Sequence, residues 1–335
     1  MKQKLYLVSN DRIYKNKYYY TAHNDLNSIV NCFIDYFETY LICRFRKKKK
    51  SFLINKKIKI VNFFSIKFIT GLIKSDNSAK FLFISLTPFN FFIFLILKFI
   101  LNQKNIFFYL RSNGFLEYKK ILGHLGLFIY SFMFFIIKSK VQFILTSTDL
   151  IKDKTINNII TPSELDYVWL RNRKKANLKN VNLLYVGRIK IEKGIFSLID
   201  LLKKSNISLD IVGFNQIPQN IFSNKIIAHL QTNNKKKLIQ FYDKCNIFIL
   251  PSYTESSPKV IWESLSRLRP VIIFSEIKQL AKNKKGVYVC QRNTMSLLKT
   301  INFIMKNYSL IQKQILQNTF PLNKDFQYNF RKLIQ

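Results

Sequence analysis

Short apolar runs alternate with amphipathic stretches along most of the chain, which is the pattern of strand–helix units that build a parallel sheet. In the first half Lys4–Val8, Thr39–Cys43, Ile58–Phe63, Phe81–Ser85, Ile106–Leu110 and Val141–Leu145 read as strands, with Ile159–Ile160 as a last short one. Asp166–Asn180, ending in RNRKKANLKN, has no apolar period and reads as a linker. The alternation then restarts with strands at Asn182–Val186, Leu209–Val212, Ile226–Leu230, Ile247–Leu250, Val271–Phe274 and Val287–Cys290. Helices are expected at Gly194–Lys204, Lys235–Cys245 and Pro258–Arg267, and from Thr294–Asn307 onward. The prediction is an α/β protein of two doubly wound, Rossmann-like domains, residues 1–165 and 166–320. A helical tail, 321–335, is expected to pack back on the first domain. Two such sheets place a ligand at the carboxyl ends of their strands, in a cleft between them.

Two greasy segments test this reading. Phe81–Leu101 is long enough to cross a bilayer, but Pro88 and Asn90 break it after a strand-like start. Ile121–Ile137 contains Gly123, His124 and Gly126. Both read as a buried strand plus an apolar helix rather than as spans, with His124 packed on the apolar face. The amino terminus reaches charged residues too soon for a signal peptide. Hydrophobic residues make up 48% of the chain, enough for a large core and too many for a disordered chain.

Charge changes the picture next. Fifty-five Lys and Arg against 18 Asp and Glu give +37, which favours an anionic partner such as a nucleotide phosphate or a lipid head group. Lys, Asn, Ile and Phe are abundant, so much of this charge reads as compositional drift on a solvated surface. The cluster Arg44–Lys50 (RFRKKKK) beside apolar segments suits a cytoplasmic protein peripheral to the cytoplasmic face of a membrane. Cys32, Cys43, Cys245 and Cys290 are far apart with no CxxC pair, which suggests neither a zinc site nor a disulfide framework.

The chemistry concentrates in 181–270. LLYVGRIKIEKG carries a strand, a turn at Gly187, then Arg188 and Lys193–Gly194 at a helix start. Two cations bracketing a helix amino terminus suit a diphosphate. Further on, LPSYTESSPKVIWESLSRLRPVI places Glu255 in a loop after a strand and Glu263 inside the following helix. Carboxylates at that spacing suit vicinal sugar hydroxyls, and the chain has only seven Glu to draw them from.

As an ordered set, VGRIKIEKG, LDIVG, LIQFYDKCNIFILPS and the E-x7-E segment ESSPKVIWE followed by SLSRLRPVI resemble the retaining GT-B glycosyltransferases of family 4 (glycosyl transferases group 1) over roughly 181–275. The resemblance implies a GT-B fold and a hexose-type transfer from a nucleotide diphosphate sugar to a hydroxyl, in surface-polysaccharide or glycolipid synthesis. It implies that Arg188 and Lys193 hold the diphosphate, Glu255 the donor sugar near the reacting centre, and Glu263 the ribose. By the same resemblance, Gly187, Gly213, Ser256 and Ser257 are expected to complete the donor site, the loop after Leu209–Gly213 and the stretch around His229–Thr232 to border the base, and the first domain to face the acceptor and the second the nucleotide. The resemblance also implies a transfer without a bound metal or other cofactor, and the absence of a D-x-D sequence agrees with it. IFFYLRSNGFLEYKK resembles an acceptor-side segment of the family and offers Arg111 and Asn113.

The chain departs from the family in places. Ser256-Ser257-Pro258 replaces Gly-Phe-Gly, Asn246 replaces an Asp, Arg269 stands where a glycine usually precedes Pro-Val-Ile, and the first strand lacks a Gly-Gly loop. The rival readings are a catalytically degenerate relative, an integral membrane protein, and a basic nucleic-acid binder, though no nucleic acid is expected as a partner.

Overall fold

The computed structural model of the protein describes residues 2–21, 24–47, 52–63, 78–146, 158–160, 162–163, 165–217, 225–255 and 257–335. Two compact units result, Met1–Pro162 with Lys324–Gln335, and Ser163–Asn323.

In the first unit the strands are β1 (Lys4–Lys15), β2 (Tyr19–Thr21), β3 (Glu38–Phe45), β4 (Phe52–Leu53), β5 (Lys59–Asn62), β6 (Lys80–Ile84), β7 (Ile106–Leu110) and β8 (Gln142–Leu145). The parallel part runs β5–β3–β1–β6–β7–β8. β6 and β7 are buried at every position, which is why they read as unbroken apolar runs. β1 runs well past Val8: the polar Ser9-Asn10-Asp11 accommodates an irregularity between Val8 and Arg12, and the strand's far end then pairs antiparallel with β2, which pairs with β4. Alternation breaks at that bulge, so the extension and its small hairpin are illegible from periodicity. The C-terminal helix Asn323–Ile334 puts Phe326, Phe330 and Ile334 into this unit's core with Leu5, Leu7 and Phe33. The Lys80 ammonium donates to the Ile334 carbonyl at 2.6 Å.

The second unit holds β9 (Asn182–Val186), β10 (Ser208–Phe214), β11 (Ile226–Leu230), β12 (Ile247–Leu250), β13 (Val271–Phe274) and β14 (Val287–Cys290), in the order β11–β10–β9–β12–β13–β14, all pairs parallel. Counting parallel strands, both sheets have the 3-2-1-4-5-6 order of a doubly wound fold, so each has a switch point beside its first strand. The residues at the ends of β9 and β12, and of β1 and β6, are therefore the ones to examine for ligand chemistry.

Asp166–Asn180 is not a free linker. It belongs to the second unit, opens with the short helix Tyr167–Leu170, and is strapped down by two buried arginines. The Arg267 guanidinium donates to the carbonyls of Trp169, Arg171 and Asn172, and one nitrogen of Arg269 donates to Lys174. A polar sequence looks like linker, but its backbone carbonyls are what the arginines need.

The apolar run Phe81–Leu101 is divided between β6, the helix Pro88–Leu95 and a π-helical turn Ile96–Ile100. Thr87 caps the helix by accepting from the Asn90 amide, and Pro88 occupies its first turn. The other run lies in the helix Gly114–Lys138, which Gly123 interrupts with φ 61. His124 is exposed there rather than packed, as are its neighbours from Ile121 to Leu125. All four cysteines are buried thiols; burial pushes Cys32 and Cys245 up to about 12, so neither is a nucleophile near neutral pH.

Candidate functional site

The second unit's switch point is built on close backbone approach. β9 ends at Gly187, whose amide donates to the Val212 carbonyl at 3.0 Å. A Cβ on Gly213 would lie 1.7 Å from the Gly187 carbonyl oxygen, so Gly213 is required for the two strand ends to touch. After Gly187 comes Arg188, exposed, with its carbonyl bonded by the Tyr185 hydroxyl at 2.9 Å and its guanidinium in no hydrogen bond or ion pair with a described residue. A 3-10 turn, Ile191–Lys193, then leads through Gly194 into the helix Ile195–Leu202. Gly194 has φ 67, and a Cβ there would sit 2.0 Å from the Pro251 carbonyl oxygen. The turn can thus lie directly against the end of β12.

That contact brings Lys193 to Glu255. Their side chains pair at 2.6 Å with only 18% and 14% exposure, and the Ser252 hydroxyl donates to the same carboxylate oxygen at 2.8 Å. The Tyr253 amide bonds the Glu192 carbonyl at 3.0 Å, tying the two loops together again. Arg292 buttresses this corner: it donates to the Pro251 carbonyl at 2.9 Å and to Glu276, and stacks on Tyr253 and Phe274 at 4.1 and 4.3 Å. The Tyr185 hydroxyl sits within electrostatic reach of Glu255, Arg188 and Glu192; burial first, then the Glu255 charge, hold it protonated well above its ordinary range. Lys193, Glu255 and the Arg188 segment are therefore one cluster around the ends of β9 and β12.

Glu263 is held elsewhere. It lies half-buried in the helix Lys259–Ser266 and accepts from the hydroxyl of fully buried Tyr242 at 2.8 Å. Burial, followed by the Glu263 charge, raises that hydroxyl well above its ordinary range, so it remains a donor. Ser257 is half-buried just before Pro258, and Ser256 lies outside the described residues. His229 turns to buried Asp210, 2.6 Å away, and packs on Phe241; it is engaged with its own sheet. The loop after Gly213 is described only as far as residue 217.

In the first unit a cavity of about 280 Å³ opens at the bulge of β1 and the ends of β6 and β7, lined among others by Asp11, Ser85, Arg111 and Glu117. Arg111 approaches the Ser85 hydroxyl at 3.4 Å, and Ser85 itself has φ 68, a strained value for a serine. Asn113 is not part of the lining. Its side chain caps the helix Gly114–Lys138 by accepting from the Leu116 amide at 3.2 Å, so its oxygen is already spent. Among the described residues no three His, Cys, Asp or Glu side chains cluster as a metal site.

Against this geometry, residues 170–320 match the sequence model for glycosyl transferases group 1, which covers nearly the whole second unit. Over those residues the second unit is similar to a group 1 glycosyltransferase domain. A curated relative from Haemophilus influenzae, an uncharacterised glycosyltransferase, is 26% identical over 195 residues, 53% of this chain and 54% of that one, so the match spans about half of each. Among solved structures, Anabaena HepE in complex with UDP and glucose superposes with a TM-score of 0.67 at 12% identity, covering 100% of this chain and 99% of that one. WaaG, a glycosyltransferase involved in lipopolysaccharide biosynthesis, gives 0.62 at 10% identity, covering 96% and 98%. At such identities the likeness is one of fold, and the fold is GT-B.

Within the second unit the departures from the family pattern have local reasons. Asn246 is buried and uses its whole amide: it accepts from the Asn182 amide at 2.9 Å and donates to the Asn177 and Asn180 carbonyls at 3.0 and 2.7 Å. An ionised aspartate could not make the two donations. Before Pro270, the residue in the left-handed conformation that suits glycine is Leu268, with φ 59, and not Arg269. Ser252, Tyr185, Tyr242 and Arg292 were absent from the sequence reading. Ser252 and Tyr185 had a signal, each lying a few positions from a motif charge, whereas Arg292 comes from the far side of β14 and had none. Gly194→Ala is expected to lower stability by about 2–4 kcal/mol through strain and the carbonyl overlap. It would also lower activity by separating Lys193 from Glu255; urea denaturation alongside a donor-binding assay checks both effects.

Proposed function

We propose that the protein is a retaining glycosyltransferase that moves a hexose-type sugar from a nucleotide diphosphate donor to a hydroxyl of a lipid-linked or saccharide acceptor, in surface polysaccharide or glycolipid synthesis. The observation that carries the reading is the Lys193–Glu255 pair at the joined ends of β9 and β12, next to the unspent Arg188. Relatives of the fold support it, since HepE was solved with UDP and glucose.

In this reading a diphosphate takes the place of Glu255 as the partner of Lys193 and recruits Arg188. That frees a Glu255 oxygen to accept from a sugar hydroxyl. As the bond from the anomeric carbon to the phosphate oxygen breaks, its electron pair stays on the oxygen, and the two cations meet the charge that develops there. The acceptor hydroxyl bonds the same face of the anomeric carbon, and its proton passes to the departing phosphate oxygen. Glu263, oriented by Tyr242, accepts from the ribose. Arg111 and the cavity at β1, β6 and β7 receive the acceptor.

A donor that binds only the folded protein raises its unfolding temperature with concentration. A panel of UDP-, GDP-, ADP- and CMP-sugars is expected to yield one class with a clear shift. Glu263→Ala is expected to remove that shift at every concentration tested; an undiminished shift would refute the ribose role.

A further inference from the structure

The helix Gly114–Lys138 is apolar on both sides past its Gly123 break. One side, with Tyr130, Met133, Phe134 and Ile137, is buried in the first unit's core. The other presents Leu125, Phe128, Phe132 and Phe135 to solvent, exposed by 64, 69, 54 and 78%. Their spacing of three and four residues puts all four along one stripe. The stripe extends at its carboxyl end, where Lys140 lies 5.7 Å over the ring of Phe99, itself 58% exposed beside Ile100 at 74%. Water-soluble surfaces rarely leave such a contiguous apolar strip uncovered.

The surrounding charge says what covers it. Between residues 81 and 146 the sequence has seven Lys and Arg and one acid, Glu117. Exposed Lys119 and Lys120 lie at one end of the stripe and exposed Lys138 and Lys140 at the other. We infer that this face of the first unit seats on an anionic lipid bilayer, with the helix lying in the interface, its phenylalanines in the acyl boundary and its terminal lysines among the head groups. A second copy of the same face would bring cations onto cations with almost no acid to pair them. A spanning arrangement would require pulling Tyr130, Met133, Phe134 and Ile137 out of the core they fill. The inference rests on this surface alone and stands or falls separately from the transfer reaction.

The full-length protein, incubated with phosphatidylglycerol–phosphatidylcholine vesicles and with pure phosphatidylcholine vesicles, is expected to float with the first only and to be released by salt. The exposed positions tolerate polar side chains, so Phe128→Ser, Phe132→Ser and Phe135→Ser together are expected to keep the circular dichroism spectrum and to weaken binding at least about tenfold. Changing Lys119, Lys120, Lys138 and Lys140 to Gln is expected to weaken it by about tenfold or more, with a lower salt dependence. Four results would overturn the inference: no binding of the native protein to anionic vesicles, unaltered binding by both variants, a native dimer that the serine variant makes monomeric, or retention in bilayers after a carbonate wash.

Discussion

Arg188→Ala is expected to lower kcat by about 10²–10³-fold, the usual loss for one preorganised charge facing a developing oxyanion, while leaving the unfolding midpoint unchanged. The two halves of this expectation come from the same observation. Arg188 is exposed, and its guanidinium has no hydrogen bond or ion pair among the described residues, so folding does not depend on it. A cation left unspent at the end of a switch-point strand is available to a ligand. Lys193 differs, because it already neutralises Glu255 in a largely buried pair. Removing Lys193 would mix a catalytic loss with the cost of an unpaired carboxylate. Arg188→Lys keeps the charge but loses the planar fork, and is expected to fall between, at about tenfold. Steady-state kinetics with the donor found in the thermal panel decides it. An alanine variant with native kcat would show that Arg188 does not meet the leaving group.

The second unit was legible from its strands, both the fully buried β12 and β13 and the partly exposed edge strands β11 and β14. Asn182–Val186, Ile226–Leu230, Ile247–Leu250, Val271–Phe274 and Val287–Cys290 fall on the observed strands residue for residue, because each is an apolar run closed by a turn signal. Arg188, Lys193, Glu255 and Glu263 were legible as residue types at a spacing, and the fold gathers three of the four at one corner. What was hidden is what holds them. Glu255 has its Ser252 and Lys193 partners, and Glu263 its Tyr242 hydroxyl, only after chain ends distant in sequence have met. Asn113, a polar residue after a strand, also carries a structural duty that the pattern hid: its side chain is the cap that starts the next helix. Of the Arg44–Lys50 cluster, read as suiting an anionic membrane surface, Arg44 bonds Asn10 and lies over the Phe89 ring at 4.8 Å, and residues 48–50 lie outside the described ones.

Arg269→Ala is expected to be the most damaging single change to stability in the second unit, at least about 3 kcal/mol, because it strands several buried carbonyls at once. Arg269 is fully buried and, among the described residues, makes no ion pair with a carboxylate. Its guanidinium instead donates to the carbonyls of Tyr242, Asp243 and Cys245, which close the helix Lys235–Lys244, and to those of Arg267 and Lys174. The carbonyls at a helix end have no partners within the helix, and the dipole there favours a positive charge. Arg269 satisfies both and fastens the 166–180 strap at the same time. Arg267 beside it holds the carboxylate of Asp243 through two nitrogens, at 2.8 and 2.9 Å, so that pair keeps its own neutrality when Arg269 is lost. Trp169 and Trp262 are the chain's only tryptophans and both lie in the second unit, so urea denaturation followed by tryptophan fluorescence isolates that unit. Arg269→Met serves as the control: it refills most of the volume but leaves the same carbonyls unpaired, and is expected to recover less than half of the loss. A methionine variant close to native stability would mean that packing, and not the carbonyl bonds, is what Arg269 contributes.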